Sequence, residues 1–327
     1  MKKIIVTGAR RTATTFFGQV IAFPDNNAYI FEPLNRELGA KGLSYNVWYP
    51  KYNTVSVSKT DKNIFNKLVG LKQLSFKKSI GDAKTDYFIY DASFTERIKN
   101  VFSNRSKQTL KFKLSKIFFN RCVYEYYKSK YLRSKRLLVI KDPFLALSTP
   151  YFTNNYKAKI VVTLRHPVSY YHSMVKQGWF LKFDLFSNKP SEDVFSIKKQ
   201  METDYNNIDR KKQLAVLEYL MVYSELLKYK NNPDYIFIKQ EDFLEAPKQT
   251  IENLYSKLGL AFNEKTEKFL KSYTTHNTKN ENRISNTKRD LNSMKNPWVG
   301  KVSKEEIDFV KHFSFELLKE FYPEELW

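Results

Sequence analysis

Two short stretches of this chain combine residue types suited to holding anions. In the first, Thr7-Gly8-Ala9-Arg10-Arg11-Thr12-Ala13-Thr14-Thr15, a glycine breaks an apolar, β-branched run, and hydroxyls and arginines crowd the turn that follows. A turn leading into a helix offers backbone N–H groups and the positive end of the helix dipole to a phosphate or sulfate. Hydroxyls at Thr12, Thr14 and Thr15 add donors, and Arg10 and Arg11 add permanent charge. In the second stretch Arg165 closes another apolar run and Ser173 stands 8 positions further on. If a helix starts near Pro167, arginine and serine flank a single anion. Glu32 and Lys141 each end a further apolar run, where ligands of open α/β sheets bind. A carboxylate there suits proton abstraction and an ammonium suits a developing negative charge.

Each residue alone has a plainer reading: a surface ion pair for Arg165, a solvated helix face for Ser173, a local cation partner for Glu32, a balancing charge on Asp142 for Lys141. What distinguishes the pattern is repetition of the same arrangement, a buried strand handing a charged residue to its C-terminal end. Ile4 to Val6, Ala28 to Phe31, Leu137 to Ile140, Lys159 to Leu164 and Tyr235 to Ile238 read as such strands. Helical periodicity runs from Thr14 to Pro24, over Leu110–Leu132, from Pro167, over Leu214–Leu227 and from Pro247 to Gly259. Ser303 and Glu306 predict a capping box for a last helix, Lys304 to Phe321. Alternation of strands and helices predicts an α/β fold, three layers with a mostly parallel central sheet. One domain over residues 1–327 is expected, with an insertion or acceptor-binding region at about 36–136, where Tyr87 to Tyr90 reads as a strand. The segment from Lys182 to Asn207 reads as a loop with a short helix.

The chain carries 56 Lys and Arg against 34 Asp and Glu, a formal charge of +22, which favours an anionic partner. Much of the lysine is scattered among Asn and Tyr, so the excess does not by itself name the anion. Cys122 is the single cysteine, which leaves no disulfide framework and no thiolate metal cluster; a helix-packing role is expected for it. Without an evident signal peptide or membrane-spanning run, a cytoplasmic protein is the expectation. His166 and His172 are second-rank candidates for a base, and Tyr124, Tyr126, Tyr127 and Tyr131 are expected to be partly core and partly solvated.

The first stretch is not the nucleoside-triphosphatase loop, because neither a second glycine nor a lysine follows Gly8 at the required spacing. It resembles the 5′-phosphosulfate loop of PAPS-dependent sulfotransferases, [ST]-G-x-x-[RK]-[ST]-G-T-[ST]. Thr7, Gly8, Arg11, Thr12, Thr14 and Thr15 match, and Ala13 replaces the usual glycine. The second stretch is similar to that family's 3′-phosphate element. Arg165, Pro167 and Ser173 match, and His166 stands for the usual acidic residue or Asn. Phe31-Glu32-Pro33-Leu34 looks like the corresponding segment of carbohydrate-directed members, and Lys141-Asp142-Pro143 like their K-x-P element. Lys239 to Phe243 with Pro247, and Arg289, Trp298 and Lys301 to Ser303, resemble two later segments; about 36–136 and 180–212 are unmatched.

The resemblance implies a P-loop-NTPase-like sulfotransferase fold and transfer of a sulfuryl group from PAPS to a hydroxyl or amine, with PAP as product and no metal. It implies a glycan, glycolipid or related acceptor. Gly8, Ala9, Arg10, Arg11, Thr12, Ala13, Thr14, Thr15, Arg165, Ser173 and Arg289 would bind the nucleotide, and Glu32 as base, Arg11 and Lys141 would be catalytic. Two other classes compete: a phosphate-loop kinase, which predicts a loop lysine that is missing, and a nucleic-acid-binding protein, which charge alone favours and no motif supports. Peripheral contact with an anionic membrane face is compatible with the charge.

Overall fold

The structure is a computed structural model that describes residues 1–55, 57–77, 121–274 and 296–327. Five strands form one parallel sheet: β1 (Lys2–Thr7), β2 (Asn27–Phe31), β3 (Ser134–Lys141), β4 (Lys159–Leu164) and β5 (Tyr235–Lys239), in the order β2-β3-β1-β4-β5. The helices are α1 (Thr14–Ala22), α2 (Lys59–Val69), α3 (Arg121–Leu132), α4 (Thr149–Tyr156), α5 (Pro167–Gln177), α6 (Glu192–Asp204), α7 (Arg210–Leu226), α8 (Gln240–Glu245), α9 (Pro247–Leu258), α10 (Glu264–Thr274) and α11 (Lys304–Leu318). The expected parallel three-layer architecture is therefore present.

Period-two alternation divides the strand residues between two cores. Ile4, Val6, Leu137, Val139, Val161 and Ile236 face one layer with Phe16, Phe17 and Val20 of α1 and Ile251 and Leu258 of α9. Ile5, Leu138, Ile140, Ile160 and Val162 face the other, with Val168 of α5, Val216 and Leu220 of α7 and Phe309 of α11. Both faces being covered explains why the strands read as continuous apolar runs. Strand β2 is an edge, and α3 seals it: one hydroxyl, that of Ser129, accepts from the Tyr29 N–H at 2.8 Å and donates to the Tyr29 carbonyl at 2.6 Å.

All strands point the same way, so their C-terminal ends share one edge. Lys141 pairs in register with Phe31 on one side and Val6 on the other; Thr7 pairs with Val162 and Leu164 with Lys239. Chain order reverses across β1, which lies between β3 and β4, and the crevice at such a switch point is where open α/β sheets bind ligands.

Several boundaries differ from the sequence expectation. The segment expected to be mostly loop contains the 13-residue helix α6. Only Val194 and Met201 of that helix are buried, so its apolar periodicity is faint. Helix α10 carries most of its charge outward and has no counterpart in the sequence reading. Pro143 to Ser148 form a 3₁₀ turn ahead of α4. The last helix ends at Leu318 and bears the expected Ser303–Glu306 capping box. Of the Leu110–Leu132 helix, Arg121–Leu132 is helical; its first part, and the strand at Tyr87 to Tyr90, lie outside the described residues.

Gly8 is required by close approach. Its φ is +142°, and a Cβ there would lie 2.5 Å from the Thr163 carbonyl oxygen and 2.8 Å from the Thr163 hydroxyl. Gly8→Ala should destabilise the fold by about 2–4 kcal/mol, combining backbone strain with a clash against main chain. Equilibrium urea unfolding measures this; an unchanged midpoint would contradict the packing described.

Candidate active site

The loop between β1 and α1 has an alternating backbone. Arg11 and Ala13 both sit in the left-handed region, at φ +66° and +62°. Ala13 is the N-cap of α1 and no side chain caps that helix start. This geometry turns successive N–H groups toward one concavity, the arrangement that binds anions. Alanine where the resembling family has glycine thus keeps the glycine-like conformation, at a cost of roughly 1–2 kcal/mol.

The loop's side chains divide into scaffold and lumen. Thr12 is fully buried; its hydroxyl donates to the Ala9 carbonyl at 2.7 Å and contacts the Thr163 hydroxyl at 2.8 Å. It therefore ties the loop to β4 rather than offering a donor to a ligand. Arg10 also turns away from the lumen. Its Nε and Nη2 donate to the two carboxylate oxygens of Glu218 on α7 at 2.8 and 2.6 Å, and Nη2 reaches the Trp179 carbonyl at 2.9 Å. The Ala9 N–H donates to the Tyr223 hydroxyl at 3.3 Å. Thr14 and Thr15 remain at the first turn of α1, and among the described residues their hydroxyls take no part in the loop's internal hydrogen bonds.

Arg165 and Ser173 do meet the loop. Arg165 Nη1 donates to the Arg11 carbonyl at 3.0 Å, and Arg11 Nε donates to the Ser173 hydroxyl at 3.2 Å. The Arg11 guanidinium also lies over the Trp179 ring, 5.3 Å from its centre. Both anion-binding elements of the sequence reading are thus neighbours on one crevice.

His166 resolves its own departure from the family pattern. Its Nδ1 accepts from the Val168 N–H at 3.3 Å and so caps α5, the task a carboxylate or Asn does elsewhere. Its ring stacks on Trp298 at 5.6 Å and 9°, with Tyr322 and Trp327 against its other sides. Glu241 accepts from the His166 N–H at 2.9 Å and from the Tyr322 hydroxyl at 2.9 Å. The chain's C-terminal residues are thereby fastened beside Arg165. Arg289 lies outside the described residues. His172, half-exposed on α5, is held below its ordinary pKa by partial burial and then by Lys301, Lys176 and Arg165.

Glu32 and Lys141 form a buried ion pair, with side chains 1% and 2% exposed. Glu32 has φ +45° and also accepts from Asn35 Nδ2 at 3.0 Å. Burial lowers the Lys141 pKa and Glu32 acts against that shift. Gly18 lets α1 approach this lysine: a Cβ at Gly18 would lie 3.0 Å from Lys141 Cβ. Burial, and then Glu32, push the Asp142 carboxyl up to about 8, while the N–H groups of Leu34 and Phe144 donate to it at 2.6 and 2.9 Å. Asp142 is thus a backbone clamp as well as a neighbour of Lys141. Cys122 is buried and its thiol approaches the Glu32 carbonyl at 3.6 Å. Among the described residues no group of three or more His, Cys, Asp and Glu is placed to hold a metal, and no helix is long and apolar enough to cross a membrane.

Sequence reasoning missed the role of α7. Its apolar residues announce a core helix, but Glu218, Tyr219 and Tyr223 carry polar atoms into the site. The only sequence signal is their position, a carboxylate and two hydroxyls inside an otherwise apolar run. Glu218 also accepts from the Tyr49 hydroxyl at 2.6 Å.

With this geometry the chain matches the family model described as the sulfotransferase domain over residues 2–323. The chain belongs to the sulfotransferase domain family. Among solved structures it is similar to retinol dehydratase in a complex with retinol and PAP, at 14% identity over 98% of this chain and 82% of that one, TM-score 0.47. It is similar to a mouse sulfotransferase complexed with PAP, at 10% identity over 98% and 84%, TM-score 0.43. A sulfotransferase from Mycobacterium avium follows at 11% identity over 98% and 76%, TM-score 0.44. No curated protein matches.

Burial, ahead of any charge, lowers the His166 pKa to about 4, below the unfolded value near 6.5. Between those values the unfolded chain binds the proton more readily, so the folded state loses stability as pH falls from about 6.5 toward 4. The loss attributable to this residue is on the order of 3 kcal/mol. His166→Asn should unfold with a flatter pH dependence across that window than the wild type, as measured by urea unfolding at stepped pH. Parallel curves would remove His166 as the source.

Proposed function

We propose that this protein transfers a sulfuryl group from PAPS to a hydroxyl or amine of a glycan, glycolipid or related acceptor and releases PAP. The observation that carries the proposal is the contact of the two anion elements: Arg165 on the Arg11 carbonyl and Arg11 on Ser173. A ligand with a phosphate at each end of one adenosine needs two adjoining anion sites. Family membership supports the reaction class, and the uncapped start of α1 supports the fit of the 5′-phosphate end. We assign the 3′-phosphate to Arg165 and Ser173, and the 5′ end to the N–H groups of residues 13–15 with the Thr14 and Thr15 hydroxyls.

In the transfer, Glu32 takes the proton of the acceptor oxygen as that oxygen bonds to sulfur. The bond between sulfur and the 5′-phosphate oxygen breaks, and its electron pair leaves with that oxygen. The first turn of α1 and Arg11 stabilise the charge that collects there. Lys141 serves the sulfuryl oxygens, and its departure from Glu32 makes the carboxylate available as a base. Burial of both groups raises the energetic consequence of that exchange. The carbohydrate preference rests on the Phe31-Glu32-Pro33-Leu34 segment, and acceptor contacts are assigned to the insertion at about 36–136 of one continuous domain. The basic excess is compatible with peripheral contact between the enzyme and an anionic membrane face.

Thermal-shift titration should show strong stabilisation by PAP that Arg165→Ala loses. Equal stabilisation by ATP would count against the donor assignment. Glu32→Gln should retain PAP binding and lose ~10³-fold in turnover, within the usual range for removal of a general base. Transfer of labelled sulfate from PAPS to glycan pools checks the rate, and normal turnover in that variant would exclude Glu32 as the base.

A further inference from the structure

Three buried polar residues of α7 touch the two ends of the crevice separately. Glu218 holds Arg10 of the loop through two hydrogen bonds. Tyr223, one turn on, joins the loop to β4: its hydroxyl accepts from the Ala9 N–H at 3.3 Å and donates to the Thr163 carbonyl at 2.6 Å. That carbonyl is the atom against which Gly8 packs. Tyr219 lies between them in sequence but serves the other end, donating to the Arg165 carbonyl at 2.6 Å. Both tyrosines are at most 1% exposed, and their rings pack 4.4 Å apart.

We infer that α7 sets the spacing between the two phosphate sites, and that Tyr219 is a positioning residue that gives the protein its preference for a nucleotide bearing a 3′-phosphate. This rests on the donor reading above.

The physical basis is the rigidity of one helix turn. Tyr219 and Tyr223 stand i and i+4, on the same face and about 5–6 Å apart at Cβ. Their hydroxyls therefore fix the backbone of β4's end and of the loop relative to one common frame. Arg165 directly follows the last residue of β4, so its carbonyl lies outside the sheet's ladder. Tyr219 satisfies that carbonyl and so orients the peptide from which the guanidinium springs toward the Arg11 carbonyl. A partly buried carbonyl deprived of its donor would shift to find another. The guanidinium would move with it, while the loop, held by Glu218 and Tyr223, would stay.

The two ends can therefore be separated by ligand. PAP carries a phosphate at both positions; AMP carries only the 5′-phosphate. Isothermal titration of both nucleotides into wild type, Tyr219→Phe and Tyr223→Phe reads the effect as a ratio of affinities. Tyr219→Phe should weaken PAP about 5- to 10-fold, the usual consequence of one lost hydrogen bond, and leave AMP within about 2-fold. Tyr223→Phe should weaken PAP and AMP by similar factors. Equal losses for both ligands in Tyr219→Phe would show a general packing role and overturn the inference, as would no loss for either. A wild-type protein with no preference for PAP over AMP would overturn the donor reading itself, and this inference with it. A selective loss confined to PAP supports both.

Discussion

Several cations converge on one sheet edge, and their mutual repulsion is the constraint on which the site depends. Arg10, Arg11, Lys141 and Arg165 are brought together by the parallel strands and by the loop after β1. The protein neutralises two of them internally: Glu218 takes Arg10, and Glu32 takes Lys141. Arg11 donates to a serine hydroxyl and Arg165 to a main-chain carbonyl, which orient the two guanidiniums. A crevice lined by guanidiniums beside a helix N-terminus suits an anionic ligand.

The same economy governs the buried polar groups. A loop with two non-glycine residues in the left-handed region is strained, and it holds because surrounding groups over-determine it. Thr12 bonds across to Thr163, Tyr223 bridges the loop and β4, and Gly8 permits the contact between them. His166 shows how a departure from the family pattern is absorbed. A ring nitrogen supplies the cap that an Asn or carboxylate oxygen supplies elsewhere, and the extra aromatic surface is covered by Trp298, Tyr322 and Trp327. The substitution thereby ties the chain's end to the residue next to Arg165.

The sequence by itself determined the strands and their parallel arrangement. Each core strand is a continuous apolar run because both sheet faces are covered, so burial wrote itself into composition. Gly8, Arg165 and Ser173 were legible because their spacing is local: a strand end, a turn and a helix start lie within a dozen residues. The capping box at Ser303 was legible for the same reason. The full extent of α6 and the existence of α10 were not, because few of their residues are buried and tertiary packing, rather than periodicity, holds them.

Only the tertiary structure decided which polar residues line the crevice and which support it. Arg10 and Arg11 are adjacent and chemically identical, yet one is held by Glu218, more than two hundred positions away, and the other by Ser173. Thr12 and Thr14 differ likewise, one bonded to β4 and one at the helix start. Glu32 gains its character from Lys141, which pairing of β2 with β3 brings alongside. Such choices depend on contacts between distant segments, and residue type and local spacing are the same whichever way each side chain turns.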